Sequence, residues 1–276
     1  MQVNFFCPRW GFENMPWPKF IDRVKQAGYQ GVEWFPYSED INPQEVTALL
    51  KSNNLQLAVV MTVLGDYKTT DAYIELLQTQ LKAHIEHCQP AFVTAQTGRE
   101  YFNQEQIQQC IDCCAQVSKA ANVPVYQETH RNKWAYAAHV VLPVLQKNEK
   151  LCITFDVSHW FCVSESYLED QQPVVNLAIE RAAHIHARVG HTQGPQVTDP
   201  AKPQYAKALA EHLAIWDKWI ERKRNDGANY CTITPEFGPP PYFPQIDDTP
   251  TWQEQWRINC WMKDLLHERY NLNNNP

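Results

Sequence analysis

Four short runs decide how this chain reads: Tyr126-Gln-Glu128-Thr-His130, Phe155-Asp156-Val-Ser-His159, His184-Ile-His186-Ala-Arg188 and Thr234-Pro-Glu236-Phe-Gly238. Each contains apolar, aromatic or β-branched residues, the mark of a strand end, and each carries a side chain able to ligate a metal. The gaps are 28 residues from Glu128 to Asp156, 30 from Asp156 to His186 and 50 from His186 to Glu236. One strand–helix unit of a (β/α)8 barrel takes about 31 residues. The first two gaps are therefore one unit each. The third is one unit lengthened by a loop, residues 190–203, whose Gly and Pro punctuation marks ordered but non-repetitive chain.

The same unit extends over the whole sequence. Strands are predicted to begin near residues 3, 31, 56, 91, 123, 151, 183 and 230. The helices between them fall at about 16–27, 43–50, 70–87, 104–121, 134–146, 173–182, 205–223 and 252–270. Eight such units specify an α/β fold, a closed (β/α)8 barrel with its active site at the C-terminal strand ends. A doubly wound open sheet is the rival. It normally carries a Gly-rich turn after strand one, and Cys7-Pro-Arg-Trp-Gly11 is not one. No break in composition divides the chain, so residues 1–276 are expected to form one domain, with 270–276 as a frayed, Asn-rich end.

Composition narrows the function. Twenty-four basic against 31 acidic residues leave a formal charge of −7, which argues against duplex DNA or an anionic membrane as partner. No run approaches the roughly 18 apolar residues of a membrane span, and Met1-Gln-Val-Asn-Phe-Phe has no basic signal-peptide head. The nine scattered cysteines read as reduced thiols of a cytoplasmic protein. Cys110-Ile-Asp-Cys113-Cys114 contains a CxxC, yet Ile107, Cys110, Ile111, Cys114 and Val117 form an i, i+3, i+4 stripe that belongs to a helix packed on a core.

Taken singly, a strand-end carboxylate is a solvated edge group and a barrel histidine a hydrogen-bonded core residue. Four ligand types on four consecutive strands are another matter, because they share one arc of a barrel mouth. Glu128, Asp156, His186 and Glu236 form an oxygen-rich set suited to one Mn²⁺ or Mg²⁺, with Co²⁺ or Zn²⁺ possible. Such an ion polarises a carbonyl and acidifies an α-hydroxyl. Side-chain alternation puts Glu128 and His130 on one face, and His184, His186 and Arg188 on one face at rising heights. His184 is then expected inside the barrel, His186 at ligand height and Arg188 at the rim, placed to anchor substrate. His130, His159 and His191 are candidate substrate contacts, and Glu33, at the end of strand two, a candidate pocket wall. Trp10, Trp134 and Trp160 are candidate apolar walls or core.

The chain resembles the xylose isomerase-like TIM barrel superfamily, in its sugar-phosphate isomerase/epimerase group. The resemblance lies in Ala27-Gly28-Tyr-Gln-Gly31-Val-Glu33, Glu128-Thr-His130, Asp156-Val-Ser-His159, His186-Ala-Arg188 and Glu236. It implies that Glu128, Asp156, His186 and Glu236 hold one divalent metal, that Glu128 and Glu236 exchange a substrate proton through a cis-enediolate, and that His159 touches a substrate oxygen. Ketose 3-epimerases of that superfamily carry a further Glu six residues beyond the strand-five ligand, where this chain has Trp134, and an Arg in the strand-seven loop, where it has Gly190-His191-Thr-Gln-Gly194-Pro-Gln196. The substrate, a small sugar, sugar phosphate or keto-polyol, therefore stays open.

Three rivals remain. Endonuclease IV, of the same superfamily, needs histidines on early strands, and the first histidines here, His84 and His87, lie in a predicted helix. Dehydratases of inosose- or dehydroshikimate-like substrates use the same metal chemistry and then expel a hydroxyl. A non-catalytic ligand-binding barrel would have had no need to keep all four ligand types. A homo-oligomer is compatible with the sequence.

Overall fold

The computed structural model describes residues 1–244 and 251–272. Eight parallel strands close in sequence order: β1 (Gln2–Pro8), β2 (Gly31–Trp34), β3 (Gln56–Thr62), β4 (Phe92–Gln96), β5 (Val125–Glu128), β6 (Ile153–Phe155), β7 (Ala182–His186) and β8 (Tyr230–Thr234), with β8 pairing back onto β1. Closure excludes the open-sheet alternative. The helices that return the chain are α1 (Trp17–Gln26), α2 (Pro43–Ser52), α3 (Thr70–Cys88), α4 (Gln104–Ala121), α5 (Ala138–Lys147), α6 (Val157–Ser164), α7 (Gln172–Arg181), α8 (Ala206–Asn225) and α9 (Thr251–His267).

The strands alternate between two environments, with one register shift where β6 pairs with β7, between Ile153 and Thr154. Outward residues such as Val32, Trp34, Val59, Met61, Val93, Phe155, Ile185 and Ile233 are buried against the helices. Each contributes about 1.5–3 kcal/mol of apolar burial. Inward residues run from apolar at the N-terminal end to polar at the other. Phe6, Ala58 and Phe92 fill the lower barrel, with the His184 ring 4.8 Å from that of Phe92. Gly31 makes this filling possible, since a Cβ there would come within 2.5 Å of the Phe6 ring and 2.9 Å of the Gln56 carbonyl.

Helix ends follow local chemistry. Asn103 and Gln106 form a reciprocal capping box at α4, and Cys110, Cys113 and Cys114 are buried on that helix as free thiols. Asn42 caps α2, whose first residue is Pro43. Two elements differ from the sequence expectation. Helix α5 starts at Ala138 rather than Trp134, because Trp134 is buried in the preceding turn with its Nε1 donating to Gln127 Oε1 at 3.0 Å. Helix α6 was not anticipated. Its β-branched and aromatic residues read as strand, but Asp156 caps it by accepting from Ser158 N at 2.9 Å.

The expected frayed end also departs from the structure at its start. Tyr270 is buried, and Asn271 both accepts from Val3 N at 2.9 Å and donates to Val3 O at 3.0 Å, so one side-chain amide pairs with β1 as a strand would. Residues 273–276 lie outside the described residues. Among the described residues no helix is long and apolar enough to cross a membrane.

Candidate active site

The inward residues at the C-terminal strand ends form a polar layer above the apolar fill. Its floor is a hydrogen-bonded chain. Thr154 Oγ1 lies 3.0 Å from Thr94 Oγ1, which donates to Glu33 Oε1 at 3.1 Å. Glu33 Oε1 in turn lies 3.1 Å from His186 Nε2. His184 is held at both nitrogens, 2.7 Å from Thr232 Oγ1 and 3.1 Å from Thr234 Oγ1. As expected, His184 belongs to the barrel layers and not to the mouth.

Above the floor the structure brings Glu128, Asp156, His186 and Glu236 together, each offering one ligand atom, with those atoms within 4.8 Å of one another. Ligands on opposite sides of an ion with bonds of about 2.1 Å stand about 4.2 Å apart, so small adjustments close this set on a single ion. His186 Nδ1 lies 3.1 Å from Glu236 Oε2 and 3.5 Å from Glu128 Oε1, yet neither His186 Nδ1 nor Glu128 Oε1 has a hydrogen-bond partner among the described residues. A buried unsatisfied polar atom costs about 1–3 kcal/mol, and lone pairs aimed at one point are what a cation satisfies. The residues present therefore fit a divalent metal.

Two other groupings are geometrically close, Glu33 with His184 and His186, and Glu128 with His130 and His159. The first fails because both His184 nitrogens are occupied. In the second, Arg188 Nη2 donates to His159 Nε2 at 2.7 Å. Arginine can only donate, so the His159 proton sits on Nδ1 and no lone pair remains for an ion.

Electrostatics agree with the first set. Burial alone lowers the His186 pKa, but Glu236, Glu33 and Glu128 around it raise it well above the usual imidazole value. Burial raises the Glu128 pKa, and His186, His130 and Gln96 outweigh it, holding the carboxyl at about 2. Asp156 is raised by burial against the pull of Arg188. The cage demands positive charge at its centre, which a proton on His186 or a divalent ion can supply.

The remaining candidates fall in different places. Glu33 is buried and lines the cavity, while also holding His186. His130 lines the cavity, its Nδ1 bonded to the Arg131 carbonyl. Arg188 lines it too, but it is buried rather than exposed at the rim. Its Nη2 donates to Asp156 Oδ2 at 2.5 Å, so its charge is already paired. His159, expected at the substrate, is fully buried beneath His130 with ring centroids 4.1 Å apart, and does not line the cavity. His191 does not reach it either. It closes a tight loop with Gly194 and stacks on Tyr205 at 6.4 Å, because the 190–203 loop folds back on α8. Trp134 and Trp160 are core, and Trp10 is wall.

The cavity over the cage measures about 220 Å³. Trp10, Phe35 and Tyr242 wall it, with Thr62, Gln96 and Glu13 among its polar edges. Tyr242 meets Trp10 edge-on at 5.2 Å and lies 5.0 Å from the Arg188 and 4.9 Å from the Arg131 guanidinium. Trp10 presses so closely on the β8 loop that a Cβ on Gly238 would come within 2.2 Å of its ring. Gln96, which donates to Glu128 Oε2 at 2.9 Å, and Thr62 were missed by sequence reasoning although strand alternation points both inward. Tyr242 sits in an irregular loop with no periodic signal.

No protein-family model matches the chain, and no curated protein matches it. Solved structures do. The probable 3-DHS dehydratase AsbF from Bacillus anthracis is 15% identical with a TM-score of 0.61, the match covering 100% of both chains. The 3-keto-D-glucoside 4-epimerase YcjR from E. coli is 13% identical with a TM-score of 0.60, over 95% of this chain and 100% of that one. The IOLI protein with a bound zinc atom is 13% identical with a TM-score of 0.67, over 98% and 99%. The chain has the fold of the xylose isomerase-like TIM barrels.

Proposed function

We propose that this protein is a divalent-metal-dependent isomerase or epimerase of a small sugar, sugar phosphate or keto-polyol. The observation that carries the reading is the convergence of Glu128, Asp156, His186 and Glu236 within 4.8 Å at the floor of a walled cavity. These four residues would hold the ion, and three carboxylates with one imidazole favour Mn²⁺ or Mg²⁺ over softer metals. When bound, the ion supplies Lewis acidity, polarising a carbonyl and acidifying a neighbouring hydroxyl.

The chain's own residues do the rest. Glu128 and Glu236 both line the cavity, so one can take a proton from the carbon beside the carbonyl and the other return it. Return to the same carbon inverts it, and return to the neighbouring carbon moves the carbonyl. Glu33 and Gln96 hold His186 and Glu128 in place. Trp10, Phe35 and Tyr242 shield the exchanging proton from bulk water. The epimerase and dehydratase that share the fold are consistent with this chemistry.

One observation favours a second outcome on the same site. His130 reaches the cavity two residues beyond Glu128; with its Nδ1 proton on the Arg131 carbonyl, its Nε2 can take the substrate proton and pass it to a leaving hydroxyl, turning isomerisation into dehydration. The test is metal analysis of the purified protein, then incubation with keto- and aldo-sugars in deuterated water. Solvent deuterium in a product of unchanged skeleton supports isomerisation, and loss of water supports dehydration. Glu236→Gln should abolish exchange with the fold intact. Wild-type exchange in that variant would remove Glu236 as an acid/base group.

A further inference from the structure

We propose that Lys133, held at the cavity edge beside the metal cage, forms a subsite for an oxyanion, a phosphate or carboxylate, carried by the substrate. This rests on the function proposed above and narrows its substrate class. Lys133 lies in the turn after β5, half-buried, and its Nζ donates to Thr62 Oγ1 at 2.5 Å. Thr62 stands at the C-terminal end of β3 and lines the cavity, its own hydroxyl donating to the Gln96 carbonyl at 3.2 Å. The ammonium is thus fixed at the cavity edge with one of its three donors used.

No carboxylate comes within ion-pair distance of Lys133 among the described residues. Burial and the neighbouring Arg99 both push its pKa down, while Glu128 and Glu100 pull it up more weakly. Arg99 is itself only loosely paired, 3.5 Å from Glu100. A half-buried ammonium beside another cation, with no carboxylate in ion-pair distance, is unfavourable, and a ligand oxyanion is the group that relieves it. Arg188 also lines the cavity, but its charge is already paired with Asp156.

The experiment is calorimetric titration of the full-length, Mn²⁺-loaded protein with two matched pairs: D-fructose 6-phosphate against D-fructose, and D-glucuronate against D-glucose. A hydrogen bond to a charged group contributes about 1.5–3 kcal/mol, so the charged member of one pair should bind at least about tenfold more tightly than its neutral partner. The pair that responds identifies phosphate or carboxylate. The advantage should shrink with added salt, disappear in Lys133→Met and persist in Lys133→Arg. Equal affinities within both pairs, no binding by either charged sugar, or an advantage that survives Lys133→Met overturns the subsite. If Lys133→Met does not fold, the wild-type pairs and Lys133→Arg decide. Mn²⁺ uptake, measured separately, reports the metal cage alone. Uptake without charge preference removes the subsite and leaves the proposed function standing, whereas no uptake removes the function.

Discussion

Glu33 lies on β2, remote in sequence from every other member of the cage, yet it contacts His186 Nε2 at 3.1 Å and takes a hydrogen bond from Thr94 at the same distance. Its carboxyl is pushed up by burial and pulled down further by His186 and His184, with a net pKa well below the usual value. A carboxylate behind a metal-binding histidine fixes the ring and its tautomer, and its loss typically weakens metal affinity about 10–100-fold. Glu33→Gln should therefore lower Mn²⁺ affinity about tenfold or more while thermal stability without metal changes little, as read by competition against a chelating dye. Unchanged affinity would mean that Glu33 only fills space. A sequence shows Glu33 as the end of a strand. That it faces His186 depends on the register carried from β2 around the barrel to β7.

At the scale of elements, caps and closures give separable predictions. Asn103 accepts from Gln106 N at 3.0 Å, and Gln106 returns a bond to Asn103 N at 2.9 Å, neither residue lining the cavity. Asn103→Ala should cost about 1 kcal/mol, visible as a lower denaturation midpoint with metal binding unchanged. Asp156 shows how one side chain can end a strand, cap a helix and join a site. Its Oδ1 accepts from Ser158 N and Oγ, at 2.9 and 2.5 Å, and its Oδ2 from Arg188. The cap was hidden in sequence because Val157-Ser-His-Trp-Phe has strand-like composition, and a helix of only eight residues has too little periodicity to compete.

For the whole molecule, two predictions concern folding. Buried carboxylates facing one another repel, and an ion that binds only the folded cage stabilises it by about 2.7 kcal/mol when present at 100 times its dissociation constant. Stripping with a chelator should lower the melting temperature, and re-addition of Mn²⁺ should restore it in a concentration-dependent way. The second concerns pH. His212 is fully buried on α8, with Nδ1 2.8 Å from the Ala208 carbonyl and Nε2 accepting from Gly190 N at 3.3 Å. Burial lowers its pKa from 6.5 to about 4. The unfolded chain takes up this proton near pH 6.5 and the folded chain only near pH 4, so the unfolded state gains as pH falls through that window. Stability should decline by about 3 kcal/mol from this group, and His212→Gln should flatten the decline. An identical acid slope in that variant would show that other groups dominate.

Sequence by itself determined the barrel, the order of its strands and which four side chains, Glu128, Asp156, His186 and Glu236, converge at its mouth, because these depend on period and spacing. Unit length near 31 residues counts the staves, and alternation by two sets which residues point inward. Only the tertiary structure decided that Arg188 is buried against Asp156, that His159 lies beneath His130, that His191 stacks on Tyr205, and that Lys133 meets Thr62 at the cavity edge. Those placements come from loops of unequal length folding over the barrel mouth. The course of an irregular loop is set by what it packs against, which no local pattern in the chain records.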